Sequence, residues 1–288
     1  MSAVQAESLE SSAAVEDGGL AGPPQAGAAE RTLRIALPII MLLLLIGAWQ
    51  VYVVMANVPH YILPSPWRIA QALYTDWPVL LPGLYVTVKI TFIALGIALV
   101  GGLALAVLMA QSRWIELALY PYAVILQVTP IIAIAPLILI YAPSTQAALL
   151  ICAWIVAFFP ILSNTTQGLR STDHNLLNLF ELYGASRWQT LVHLKLPNAL
   201  PYFLAGLRIA GGLALIAAVV AEFAAGSAGA GSGLAFRLLE SQFRLNIPRL
   251  FAALVLLSFT GILIFFATSL ISHLLLRRWH ESALGKEN

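Results

Sequence analysis

Six long apolar runs dominate the chain, over residues 34–57, 84–110, 115–141, 145–166, 201–225 and 250–276. A helical bilayer crossing takes about 20 apolar residues, and each run is long enough. None alternates with the period of two that marks a membrane β-strand. The pattern predicts an all-α polytopic membrane protein with six transmembrane helices. Three connectors interrupt it. Residues 58–83 carry Pro59, Pro64, Pro66, Pro78 and Pro82 and predict a loop holding one short amphipathic helix from near Trp67. Residues 167–200 are polar, and residues 226–249 are Gly-rich and then mixed. Residues 1–33 are rich in acidic and small residues and predict a disordered tail. A membrane domain over 34–278, with its core at 84–276, and a short tail over 279–288 complete the division.

Composition agrees with this pattern. Hydrophobic residues make up 60% of the chain and charged residues 10%, against about 25% charged in soluble domains. A net charge of +2 is too small and too scattered for a nucleic-acid surface. The single cysteine, Cys152, excludes an internal disulfide and a Cys-based zinc site. Side assignment follows Lys and Arg placement. With the N-terminus inside, Arg31, Arg34, Arg113, Arg170, Arg187, Lys195, Arg277, Arg278 and Lys286 fall inside. Arg68, Arg237, Arg244 and Arg249 fall outside, while Lys89 and Arg208 lie within spans. This bias places both termini and the 167–200 loop in the cytoplasm, with the acidic start as an uncleaved tail.

Within the spans a few residues stand out. Ala94, Ala98, Gly102 and Ala106 form a small-residue stripe that lets backbones approach closely, either at a moving interface or in ordinary packing. Gln127, Thr129 and Pro130 sit where proline should kink or break the third run. They form either a wall of a polar pathway or a structural kink. Pro136 follows in the same run, and Pro160 with Asn164 repeats the theme in the fourth. Glu222 is the most telling charge, because an intramembrane carboxylate is costly. It could meet substrate, relay protons, pair with an arginine or keep helix ends in register near the outer interface. Arg208 lies fourteen residues earlier, about 21 Å along a helix, too far to be that arginine within one span. No phosphate-binding loop, paired metal ligands or nucleophile elbow is present, so nothing argues for catalysis or a metal site.

The loop 167–200 is the most specific feature. Leu176, Leu177, Leu179, Phe180 and Leu182 form an amphipathic run ending at Tyr183-Gly184. Glycine can end that helix with a positive φ. A second helix is expected from Ala185 to about Leu194, stopped by Pro197. The result is a knob whose apolar face meets a protein partner or lies on the membrane surface.

The spacing of Gly184, nine residues, then Leu194-Lys195-Leu196-Pro197 resembles the second half of the "EAA" loop of ABC importer permeases. GASRWQ (184–189), LPSP (63–66), TPIIAIAPL (129–137), PYFLAGLRIAGG (201–212) and AE (221–222) resemble permeases of the nitrate/sulfonate/taurine type. The likeness covers about residues 34–278. Two departures exist. Asn178-Leu179-Phe180 stands where the family has Glu-Ala-Ala, with Glu181 three positions after Asn178, and Tyr141-Ala142-Pro143 replaces Trp-Phe-Gly.

The resemblance implies the type I importer permease fold. It implies a pore built with a second permease copy, two separate ATPase subunits on the loops, and an extracytoplasmic substrate-binding protein. Asn178, Leu179, Phe180, Glu181, Gly184, Ala185, Ser186, Arg187, Leu196 and Pro197 would form the coupling loop. Gln127, Thr129, Pro130, Asn164 and Glu222 are pathway candidates. ATP and Mg would bind the ATPases, with no cofactor on this chain. For substrate, the scarcity of basic residues in the spans favours a pyrimidine-like or vitamin-precursor heterocycle over a sulfonate, taurine or nitrate. An ion-gradient-driven secondary transporter is the alternative of another class.

Overall fold

The computed structural model describes residues 28–226 and 231–277. The acidic start over 1–27, residues 227–230 of the Gly-rich connector, and the C-terminal tail lie outside the described residues. Among the described residues the chain is helical, without a strand. The elements are α1 (Ala28–Met55), α2 (Pro66–Thr75), α3 (Trp77–Gln111), α4 (Arg113–Val128), α5 (Ile131–Tyr141), α6 (Thr145–Arg170), α7 (His174–Leu182) and α8 (Arg187–Thr190). A π-helical turn (Leu191–Lys195) leads into α9 (Leu196–Ala225), followed by α10 (Leu234–Phe243) and α11 (Ile247–Leu276).

The helix α1 is apolar around its girth, and its side chains from Leu37 to Leu45 are largely exposed, as suits a helix in lipid. From Tyr52 onward the chain forms one compact unit. Its centre is α9 packed along α6, with α3 packed against both. Association in lipid gains nothing from hydrophobic transfer and relies on close packing. The small-residue stripe supplies it: Ala94, Ala98 and Ala106 are fully buried, and a Cβ on Gly102 would lie 2.9 Å from Ile161 Cγ2. Between α6 and α9 the backbones come closer still. A Cβ on Gly206 would lie 2.7 Å from the Pro160 carbonyl, and one on Gly168 would lie 2.9 Å from Ala199 Cα. Hydroxyls inside the bundle bond their own helix. Thr91, Thr165, Thr166, Thr260 and Thr268 each donate to the carbonyl four residues earlier, which satisfies these hydroxyls where lipid cannot.

Proline reshapes three of the expected boundaries. The connector expected over 58–83 ends early, because α3 already begins at Trp77. Pro78 occupies its first turn, where the missing N–H costs no bond, and Pro82 lies one turn further in. The third apolar run is not one straight helix: α4 and α5 meet at Thr129-Pro130 with a bend of 101°. The residue before proline is driven out of the helical region, and Thr129 sits at φ −70°, ψ 120°. Glu116 at the start of α4 pairs with Arg170 at the end of α6, whereas α5 ends just before α6 begins. The bent pair therefore joins opposite ends of α6 and counts as one broken crossing, giving six with the five unbroken spans. Finally, Pro197 does not stop the second loop helix. The Leu196 N–H bonds Leu191 O, a π-type step, and the helix runs on through Pro197 into the fifth span. The wider turn carries the proline without sacrificing a regular bond.

Candidate functional site

Two assemblies stand out, one at each end of the helix that runs through residues 187–225. The first is the loop. Asp173 caps α7, its carboxylate accepting from Asn175 N–H at 2.8 Å. The helix closes on Gly184 at φ +68°. Gly184 N–H donates to Glu181 O (2.9 Å) and Ala185 N–H to Phe180 O (3.0 Å), the paired bonds of a Schellman cap. Space around Gly184 is open, so glycine is required there by backbone conformation, not by crowding. Ser186 and Gln189 then form a capping box: Gln189 N–H donates to Ser186 Oγ, and Ser186 N–H to Gln189 Oε1 at 2.7 Å.

Each base of the loop is fastened. Leu191 is buried, and Asn198 Nδ2 reaches both Gly168 O and Ser171 Oγ at 3.2 Å. Between these anchors the loop is bare. No residue of α7 is buried, and Leu179, Leu182, Tyr183 and Trp188 are exposed. A groove of about 480 Å³ separates the knob from Gln111 at the end of α3, with Glu181, Arg187 and Lys195 on its walls. Asn178 and Glu181 are exposed, Phe180 and Ala185 half-buried. The predicted residues from Asn178 to Arg187 thus share one helix–turn–helix. Leu196 and Pro197 instead belong to the continuing helix.

The pathway candidates do not share one place. Gln127 is exposed in the last turn of α4. The Thr129 hydroxyl donates to Ile125 O at 2.6 Å, and Pro130 opens α5. Asn164 Nδ2 bonds Pro160 O at 2.8 Å, facing α9 at Gly206. Glu222 lies sixteen residues past Gly206, about 24 Å further along α9.

Glu222 forms the second assembly. It is 2% exposed, in the last turn of α9. Its Oε1 accepts from the Thr87 hydroxyl of α3 at 2.7 Å, and its Oε2 from Ala235 N–H of α10 at 2.9 Å. Thr87 Oγ1 in turn accepts from Leu234 N–H at 2.8 Å. A negative charge at a helix N-terminus meets the positive end of the peptide dipoles. Hydrogen bonds to charged groups contribute about 1.5–3 kcal/mol each where well made. The residue at the N-cap position, Gly233, has no side chain to cap α10, and a Cβ there would collide with the Glu222 carboxylate. Beside this junction Arg249 pairs with Asp76 at 2.6 Å, and Glu240 pairs with Arg237 and Arg244 at 2.9 Å each. Neither Thr87 nor these pairs was singled out from sequence. The hint for Thr87 was its place as one of two threonines in the apolar run of α3, but its partner lies 135 residues away.

The chain is thus a bundle of small-residue-packed spans with a projecting, self-capped loop. Residues 98–281 match the family of binding-protein-dependent transport system inner membrane components. The chain belongs to that family and is an ABC importer permease, a transport subunit embedded in the membrane by several crossings. It is 33% identical to the formylaminopyrimidine transport permease protein ThiX of Halalkalibacterium halodurans, over 86% of this chain and 97% of that one. It is 34% identical to the riboflavin transport system permease protein RibX of Chloroflexus aurantiacus, over 86% of this chain and 91% of that one. A putative aliphatic sulfonates permease, SsuC of Bacillus subtilis, is 28% identical over 84% of this chain and 86% of its own length. Among solved structures, an amino acid ABC transporter chain has the same fold, with a TM-score of 0.59 at 19% identity, covering 72% of this chain and 97% of that one.

Proposed function

We propose that this chain lines the translocation pathway for a small nitrogen heterocycle and takes its energy from separate ATPase subunits at the loop over 173–195. The observation that carries the reading is the loop itself. Its caps are satisfied within the loop and both bases are anchored, while Leu179, Leu182 and Tyr183 are exposed. A rigid apolar knob on packed helices is a lever for whatever grips it.

Two ATPases carrying ATP and Mg would grip the loops of two permease copies, and a binding protein would deliver solute at the opposite face. The Lys and Arg bias supports a cytoplasmic loop with both termini inside. The heterocycle rests on the higher identity to the pyrimidine and riboflavin permeases than to the sulfonate permease. It also rests on the scarcity of cations in the spans.

The test is reconstitution of the permease with its ATPase and binding protein in proteoliposomes. Uptake of a labelled aminopyrimidine or flavin should require ATP and the binding protein. Uptake of sulfonates alone would overturn the substrate class. Uptake driven by an ion gradient without ATPase would overturn the whole reading.

A further inference from the structure

The helix through residues 187–225 is 39 residues long, about 58 Å at 1.5 Å per residue. One end grows out of the capping box of the loop, and the other carries Glu222. From Tyr202 to Ala225 it contains no proline. At the Glu222 end three elements converge in a space without slack. The carboxylate of α9 accepts hydrogen bonds from the Thr87 hydroxyl of α3 and from Ala235 N–H of α10, while the same hydroxyl accepts from the preceding amide, Leu234 N–H. The first turn of α10 therefore has no cap of its own; its cap belongs to the helix that begins at the loop. Gly233 removes the only side chain that could have kept the carboxylate away. Further along, the ion pairs of Glu240 lie within α10 and its C-cap, and the Arg249–Asp76 pair ties the start of α11 to the start of α3.

We propose that Glu222 is a positioning residue of the transport cycle: it fastens α10 to the loop-bearing helix, so that displacement of that helix at the ATPase face moves α10 at the opposite face. This rests on the reading that the loop engages ATPases. Coupling between distant sites needs an element that both ends bias. A buried carboxylate bonded to α3 and α10 cannot travel with α9 unless those helices follow or the bonds break.

The experiment uses the full complex in nanodiscs and measures hydrogen exchange with ATP and vanadate as the only ligands. In the wild type, amides of 234–243 should change their exchange rate by at least about fivefold between the nucleotide-free and vanadate-trapped states, the low end of site-to-site coupling. The loop over 173–195 should respond as well. In Glu222→Ala and Glu222→Gln the loop response and basal ATP hydrolysis should persist, while the response at 234–243 is lost. Thr87→Val should reduce that response, and Thr87→Ser should restore it. A purely static pin predicts instead that wild-type 234–243 ignores nucleotide while the loop responds. That result overturns the proposal without touching the functional reading, and it needs no variant to fold. An unchanged response in Glu222→Ala overturns it too. A wild-type loop blind to nucleotide, with no ATPase co-purifying, overturns both.

Discussion

The loop over 173–195 and the junction around Glu222 terminate the same continuous helix, yet they are built on opposite terms. In the loop every defining bond is local, spanning two to five residues: the Asp173 cap, the Gly184 closure and the Ser186–Gln189 box. Its apolar side chains Leu179, Leu182, Tyr183 and Trp188 are exposed. At the junction the defining bonds span 13, 135 and 147 residues, and every participant is buried. A structure held by local bonds keeps its shape when its surroundings change, which suits a part that another protein handles. A structure held by long-range bonds has a shape only while its helices keep their places, which suits a part that reports where those helices are.

Breaking the loop should give the largest effect. Gly184→Arg puts a side chain on a residue at φ +68° and adds a cation to the knob. ATP-dependent uptake should fall by more than about tenfold, within the range of coupling energies between sites. The variant should still insert and retain its helical circular dichroism. Next, the double change Leu179→Asp and Tyr183→Ala removes exposed apolar surface without altering a cap. It should abolish co-purification of the ATPase and leave the thermal unfolding of the permease unchanged. An intact complex would show that something other than the ATPase covers this face.

Two further changes sharpen the contrast in stability. Gly206→Leu forces a side chain against the Pro160 carbonyl, where even a Cβ would sit at 2.7 Å. Overpacking of this kind costs about 1–3 kcal/mol, and the detergent-solubilised protein should melt at a lower temperature. The smallest effect is expected for Ser186→Ala, which loses one capping box worth about 1 kcal/mol. Uptake should drop by less than in Gly184→Arg, and the melting temperature should fall by less than in Gly206→Leu, because a single cap is lost and the spans keep their packing.

Much of the architecture was legible because lipid imposes a simple code. The six apolar runs, the small-residue stripe, the break at Thr129-Pro130 and the glycine closure at Gly184 all follow from residue chemistry over short distances. Proline was harder to read. Its consequence depends on where a helix begins, so Pro78 and Pro82 fell inside α3, and Pro197 fell just after a π-turn instead of ending a helix. The company kept by Glu222 was illegible for another reason. Its carboxylate is paired with a threonine from a distant run and with one backbone amide, and that threonine accepts from a second amide; backbone amides carry no sequence signature. Asn164, on α6 opposite Gly206, and Glu222, in the last turn of α9, are grouped by polarity but lie far apart.

The π-turn at Leu191–Lys195 has a consequence for aim. An extra residue accommodated in one turn rotates everything before it by about 100° relative to an unbroken α-helix, since each residue advances the screw by that angle. The knob therefore faces a direction that the bundle's own helical phase would not give it. Removing one residue from 191–195 would restore the regular screw and swing the Ser186 capping box by a quarter-turn, with the buried faces of α6 and α9 untouched. The bearing of the loop and the packing of the spans are thus set by separate stretches of sequence, and either can change while the other stays fixed.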